Sequence, residues 1–229
     1  MTTTIDAVLF DAGGVLLLPD PTVLGPLLAP YDADTSVASL TRAHYAAMRS
    51  QDVDGKIHDD WHVYDAAYVR ACGVPEHERA EAAVVLGATR TAHLWRWPIV
   101  PSVLALRTLH EAGVPIGVVS NAAGQIESVL RRFGVCQVGE GEGVPVVVIV
   151  DSTIVGVAKP DPAIFAFAFE MLDVQPESTA YVGDSYANDV VGARAAGMQP
   201  FLLDPYDDHA GAEYPRINAV ADLIEIVTR

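Results

Sequence analysis

Five short runs of this chain are apolar at nearly every position, and all five end on polar residues. Ile5 to Phe10 ends at Asp11, Val114 to Val119 at Ser120-Asn121, and Val146 to Val150 at Asp151-Ser152. Ala180 to Gly183 ends at Asp184, and Phe201 to Leu203 at Asp204. Strands read this way when helices cover both faces of a parallel sheet. Helices are expected between them at Ser102 to Ala112, Gly124 to Phe133, Pro162 to Leu172 and Asn188 to Ala196, with a last one near Val220 to Val227. Between the first and second runs the period becomes helical throughout. Val37, Leu40, Ala43, Ala47 and Met48 share one face of a segment from Ser36 to Ser50. Trp61, Tyr64, Tyr68 and Cys72 then form a stripe closed by Gly73, and Pro75 suits the first turn of a helix running to about Thr89. Pro19-Asp20-Pro21 reads as a break out of the first unit, and Trp97 to Pro101 as a stiff return. The predicted fold class is α/β: a doubly wound, Rossmann-like parallel sheet core built from residues 1–18 and 98–229, with an inserted all-helical domain at 19–97.

The endings matter because ligands of open α/β sheets bind beyond the carboxyl ends of the strands. With the first strand central, it and the strand ending at Asp184 flank the switch point, so Asp11 and Asp184 are expected to meet. Two converging carboxylates repel, and a hard divalent cation with oxygen ligands, Mg²⁺, is the natural compensation. Composition sharpens this picture. The net charge is −16, a field that repels nucleic-acid backbones and anionic lipid, so neither nucleic acid nor membrane is expected as a partner. A bound cation would also let so acidic a chain accept an anionic substrate. Cys72 and Cys136 are far apart, which fits a reducing compartment. The first residues hold no basic or long apolar region, so the expectation is a soluble cytoplasmic protein. Gly139-Glu140-Gly141-Glu142-Gly143 lacks nucleotide-loop spacing and follows no predicted strand, so it reads as a surface loop.

Four separated pieces stand in order: Asp11-Ala12-Gly13-Gly14-Val15, Val118-Val119-Ser120-Asn121, Lys159-Pro160-Asp161-Pro162, and Gly183-Asp184-Ser185-Tyr186-Ala187-Asn188-Asp189. Together they resemble the four motifs of the haloacid dehalogenase-like (HAD) hydrolases, and the helical block resembles that family's type-1 cap. The resemblance covers essentially the whole chain. It implies a Mg²⁺-dependent phosphatase of a small phosphorylated metabolite, with Asp11 as nucleophile forming an aspartyl-phosphate. Ser120 and Asn121 would contact the transferring oxygens, and Lys159 would hold phosphoryl group and nucleophile together. The chain has only two lysines against twelve arginines, which sets Lys159 apart from a casual surface charge. Asp184, Asp11 and the main-chain carbonyl of Gly13 would ligate the metal, with Asp189 binding it or orienting its waters.

The opening motif departs from the family pattern at Gly13, where most of its phosphatases carry a second Asp as general acid and base. Glycine protonates no leaving group, and such help is typically a 10²–10⁴-fold effect. Five histidines of the helical block are candidates for a substitute: His44, His58, His62, His77 and His93. His58 and His62 have the spacing of helical metal ligands but no indicated third partner, which favours a solvated polar face. His44 is the better candidate to reach the site and contact substrate. Two other readings stay open: a 2-haloacid dehalogenase-type hydrolase in which Asp11 attacks carbon, and a catalytically impaired HAD-fold binding protein.

Overall fold

The computed structural model describes residues 4–52, 61–91 and 93–227. The first half contains β1 (Ala7–Phe10), β2 (Leu17–Pro19), α1 (Pro21–Leu28), α2 (Val37–Asp52), α3 (His62–Ala71), α4 (Arg79–Thr89) and β3 (Trp95–Pro98). There follow α5 (Val100–Glu111), β4 (Ile116–Ser120), α6 (Ile126–Arg132), β5 (Cys136–Val138), β6 (Val144–Val146), β7 (Val148–Asp151), α7 (Ser152–Val155) and α8 (Ala163–Leu172). The chain closes with β8 (Thr179–Gly183), a π-helical turn at Tyr186–Val190, α9 (Val191–Ala195), β9 (Gln199–Leu203), β10 (Arg216–Ile217) and α10 (Asp222–Val227).

Six strands form one parallel sheet in the order β10-β9-β8-β1-β4-β7, so β1 is central and β8 and β4 are its neighbours. The continuous apolar character of the strands has a direct cause. Successive strand side chains point to opposite faces, and both faces are covered. Val8 and Phe10 pack into the cluster containing Leu106 and Leu109 of α5 and Leu130 of α6. Ala7 and Leu9 pack into the cluster containing Ile164, Phe165 and Ala168 of α8. This is the α/β, doubly wound arrangement expected from the sequence.

The helical block forms its own apolar cluster, with Leu24 and Leu28 from α1, Leu40, Ala43 and Ala47 from α2, Tyr64 and Tyr68 from α3, and Leu86 from α4. Two expected core members lie outside it: Val37 is 50% exposed and Trp61 is 37% exposed. Four elements depart from the sequence expectation. The Pro19-Asp20-Pro21 break is a helix start: Asp20 accepts a hydrogen bond from Thr22 N at 2.8 Å and Pro21 occupies the first turn, where its missing N–H costs nothing. The return segment is not a bare linker, because β3 pairs antiparallel with β2. The run expected from Val146 to Val150 divides: Val146 ends β6, which pairs with β5, and only β7 joins the main sheet. Finally, the helix expected from Asn188 begins at Tyr186 as the wider π turn.

Gly117 explains a local choice in β4. It lies in register between Leu9 and Val148, and a Cβ there would stand 2.7 Å from Leu9 Cδ2 and 2.9 Å from Val148 Cγ1. Gly117→Val overpacks that spot and should destabilise the protein by about 1–3 kcal/mol. Urea denaturation should show it as a lower midpoint with an unchanged slope.

Candidate active site

The sheet order brings three of the five strand ends to one place. Asp11 follows β1, Ser120 ends β4 and Asp184 follows β8, and all three are buried on the wall of a cavity of about 410 Å³. The other two strand-end carboxylates tie loops. Asp151 accepts from the backbone N–H groups of Gly124, Ile126 and Thr153. Asp204 accepts from those of Asp208 and His209 and pairs with Arg216.

Lys159 joins the cluster fully buried. Its Nζ stands 2.9 Å from Asp11 Oδ1 and 2.7 Å from Asp189 Oδ1, and it donates to the Tyr181 hydroxyl at 2.8 Å. Asn121 fixes the Lys159 backbone from both sides: its Oδ1 accepts from Lys159 N at 2.8 Å and its Nδ2 donates to Lys159 O at 2.9 Å. Asn121 was expected to contact substrate; the structure commits its side chain to placing the lysine. Tyr181, read in the sequence only as part of an apolar strand, has its ring under Phe165 and its hydroxyl in this network. Ser185 receives a bond from Asn188 N, so it caps the π turn.

Burial shapes the electrostatics. It pushes the Asp11 carboxyl up to about 6, against the pull of Lys159 and with help from Asp189 and Asp184. Asp184 is likewise raised by burial, opposed chiefly by His44. Burial would lower Lys159, but the charges of Asp11 and Asp189 outweigh it and hold the ammonium protonated. Asp11, Asp184 and Asp189 each offer one oxygen, and these oxygens lie within 4.8 Å of one another. Asp11 Oδ1 also accepts no hydrogen bond of good geometry, its approach to Lys159 being an ion pair alone. Three buried hard-oxygen donors with one underserved oxygen fit a divalent cation such as Mg²⁺.

The helical block enters the site through α2. His44 Nε2 lies 3.0 Å from Asp184 Oδ2, and its Nδ1 lies 2.8 Å from the Tyr64 hydroxyl, so both ring nitrogens are occupied. The Tyr45 hydroxyl donates to Gly14 O at 2.7 Å. Gly14, at φ +67°, must be glycine: a Cβ there would fall 1.8 Å from Asp184 Oδ2 and 2.7 Å from His44 Nε2. Asp52, at the end of α2, accepts from Tyr186 N at 2.7 Å, Ala187 N at 3.0 Å and Ser185 Oγ at 3.1 Å. It thereby caps, from another part of the chain, the turn that carries Asp189. Nothing in its local sequence marked Asp52. His58 lies outside the described residues, while His77 is exposed and paired with its neighbour Glu78.

A family model described as haloacid dehalogenase-like hydrolase matches residues 5–197. The chain therefore belongs to the haloacid dehalogenase-like hydrolase family. A phosphoserine phosphatase of Thermus thermophilus is 31% identical over 72% of this chain and 62% of that protein. Haloacid dehalogenase-like hydrolase domain-containing protein 3 of Bos taurus is 31% identical over 53% of this chain and 47% of that protein. The chain spans about half the length of this domain-containing protein 3. A HAD phosphatase crystal structure from Thermococcus onnurineus superposes with a TM-score of 0.60 at 22% identity, covering 97% of this chain and 98% of that one. No helix among the described residues is long and apolar enough to cross a membrane.

Asp52→Ala leaves two backbone N–H groups and one hydroxyl without their acceptor. It should lower stability by about 1–3 kcal/mol and speed hydrogen exchange at Tyr186 and Ala187 specifically, readable by NMR.

Proposed function

We propose that the chain is a Mg²⁺-dependent phosphatase of small phosphorylated metabolites, working in the reducing cytoplasm through an aspartyl-phosphate at Asp11. The observation that carries this reading is the Lys159 ammonium held between Asp11 and Asp189 on the wall of the cavity. Asp11 is the nucleophile: a carboxylate oxygen bonds to phosphorus as the bond to the leaving oxygen breaks, and water later displaces Asp11 to release phosphate. Lys159 holds the nucleophile in place and offsets the charge of the transferring group. Ser120, buried beside Asp11 at the end of β4, donates to a phosphoryl oxygen, and Asn121 supports it by fixing Lys159. Asp11, Asp184 and the Gly13 carbonyl hold Mg²⁺, with Asp189 close enough to bind it or orient its waters; the ion supplies charge stabilisation to the phosphoryl oxygens.

His44 positions Asp184 and does not contact substrate, since Asp184 and Tyr64 take both its nitrogens. The antiparallel pair β2–β3 forms the neck between the sheet core, residues 1–18 and 98–229, and a helical cap at 19–97. The three-carboxylate cluster favours this reading over a dehalogenase, because displacement of halide at carbon calls for no divalent cation.

Asp11→Asn should reduce turnover of acetyl phosphate by about 10³-fold or more with Mg²⁺ present, by phosphate release; activity that survives would sink the mechanism. Chloride release from 2-chloropropionate in EDTA would favour the dehalogenase reading instead. A second expectation concerns stability. The Asp11 carboxyl is raised in the folded state, so without metal the site favours the folded protein less as pH climbs from about 4 through about 6. Mg²⁺ relieves that repulsion. At pH 7 and 100 times its dissociation constant it should add about 2.7 kcal/mol, raising Tm by roughly 5–11 °C in differential scanning fluorimetry, and clearly less at pH 5.

A further inference from the structure

The cavity is mixed in chemistry. Its wall combines the polar groups of Asp11, Ser120 and Lys159 with the apolar side chains of Trp61, Trp95, Met48 and Ile126. The two indoles meet edge to face with centroids 5.8 Å apart. Trp95 stands over the opening motif itself: a Cβ on Gly13 would meet its Cδ1 at 3.5 Å and Nε1 at 3.6 Å. An indole thus lies beside Asp11, whose Oδ2 is 3.9 Å from the same point.

Charge and proton supply narrow the choice. Besides Lys159, Arg90 is the cationic residue among those described on the cavity wall, and its guanidinium is already paired with Asp65 and stacked 4.8 Å from the Trp61 ring. A second phosphate or a carboxylate on the substrate finds no unmatched positive charge there. Nor does the described wall hold an acid ready to protonate a leaving oxygen. Gly13 has no side chain, His44 has both nitrogens occupied, and Lys159 faces Asp11, Asp189 and Tyr181. An alkoxide leaving without protonation is slow, whereas a phenoxide, whose conjugate acid has a pKa near that of tyrosine at about 10, leaves readily.

We propose that this site takes phosphate monoesters of phenols, with the aromatic ring of the leaving group against Trp61 and Trp95. This rests on the phosphatase reading above. The Asp11 oxygen bonds to phosphorus as the P–O(aryl) bond breaks; the phenoxide leaves and takes its proton from water. A second water adds to phosphorus, the bond to Asp11 breaks, and phosphate and phenol are the products.

The test compares phenyl, benzyl and n-butyl phosphate with O-phosphoserine and 1,4-butanediol bisphosphate on the Mg²⁺-loaded full chain, alongside acetyl phosphate, which needs neither an acid nor a ring. Expected is kcat/KM for phenyl phosphate roughly 10²–10⁴-fold above benzyl phosphate, the share an absent general acid would supply. Benzyl should have a KM about tenfold below n-butyl, and the two substrates with a second anionic group should rank last. Trp95→Ala should raise KM for phenyl and benzyl phosphate by about tenfold and for n-butyl phosphate by less; Trp61→Ala serves the same purpose if the first variant fails to fold. Turnover of acetyl phosphate, with benzyl, n-butyl or either substrate bearing a second anionic group equal to or better than phenyl phosphate, overturns the inference and leaves the phosphatase reading standing. No turnover of either acetyl or phenyl phosphate removes the phosphatase reading itself.

Discussion

The position of one ammonium group governs the site. Three carboxylates, Asp11, Asp184 and Asp189, are buried within reach of a single ion, and without compensation they would repel one another in a medium that screens poorly. Lys159 supplies a compact charge on a long stem, donating to Asp189 and Tyr181 and pairing by charge with Asp11. A planar guanidinium could not divide itself among oxygens placed around a point. Lys159 is held from behind by Asn121 and reaches Asp11 only because β1 lies between β4 and β8. The strand order of the sheet is thus expressed, at its rim, as a charge balance.

That balance is shared with the helical block. Tyr45 reaches Gly14, His44 reaches Asp184, and Asp52, eight residues or about 12 Å further along the same helix, reaches the turn after Asp184. Arg42 and Arg49 extend the contact to Asp208 at side chain and backbone. The loop that carries Asp184 and Asp189 is therefore framed on one side by its own sheet and on the other by α2. A carboxylate aimed at the first turn of a helix from a distant segment does the work usually given to a local capping residue. Any tilt of α2 away from the sheet would release both the capping bonds of Asp52 and the orientation of Asp184.

The sequence made the strands legible because burial on both faces leaves an unbroken apolar signature, and it made Asp11 and Asp184 converge because a central first strand needs a neighbour. Lys159 was legible through its rarity in an arginine-rich chain. What escaped notice has physical reasons. α1 hid behind two prolines that read as a break, although Pro21 stands where a helix tolerates it. β2, β3 and β10 are two to four residues long, too short for any period to show. Asp52, Tyr181 and Trp95 act through partners 130, 20 and 80 or so positions away, and no local spacing encodes such a meeting. Asp151 and Asp204 looked equivalent to Asp11 in the sequence, yet nearby backbone N–H groups claim them; only the fold decides which strand-end carboxylate is left without amides to serve.

The same contrast bears on how so acidic a chain can handle an anion. A net charge of −16 sets an unfavourable field at long range, but water and salt weaken it within about 10 Å. Inside the cavity the field belongs to Lys159 and the carboxylates it faces, and there burial makes each charge count for more. Asp11 is raised by that burial and by its two acidic neighbours, so any added positive charge lowers the cost of keeping it ionised. In the proposed mechanism nucleophile and cation site are one device: the residues that would hold the ion are those whose repulsion it would reduce. In that mechanism, with glycine at position 13, the chemistry left to this rim is placement and charge, and proton transfer to the departing group would fall to solvent.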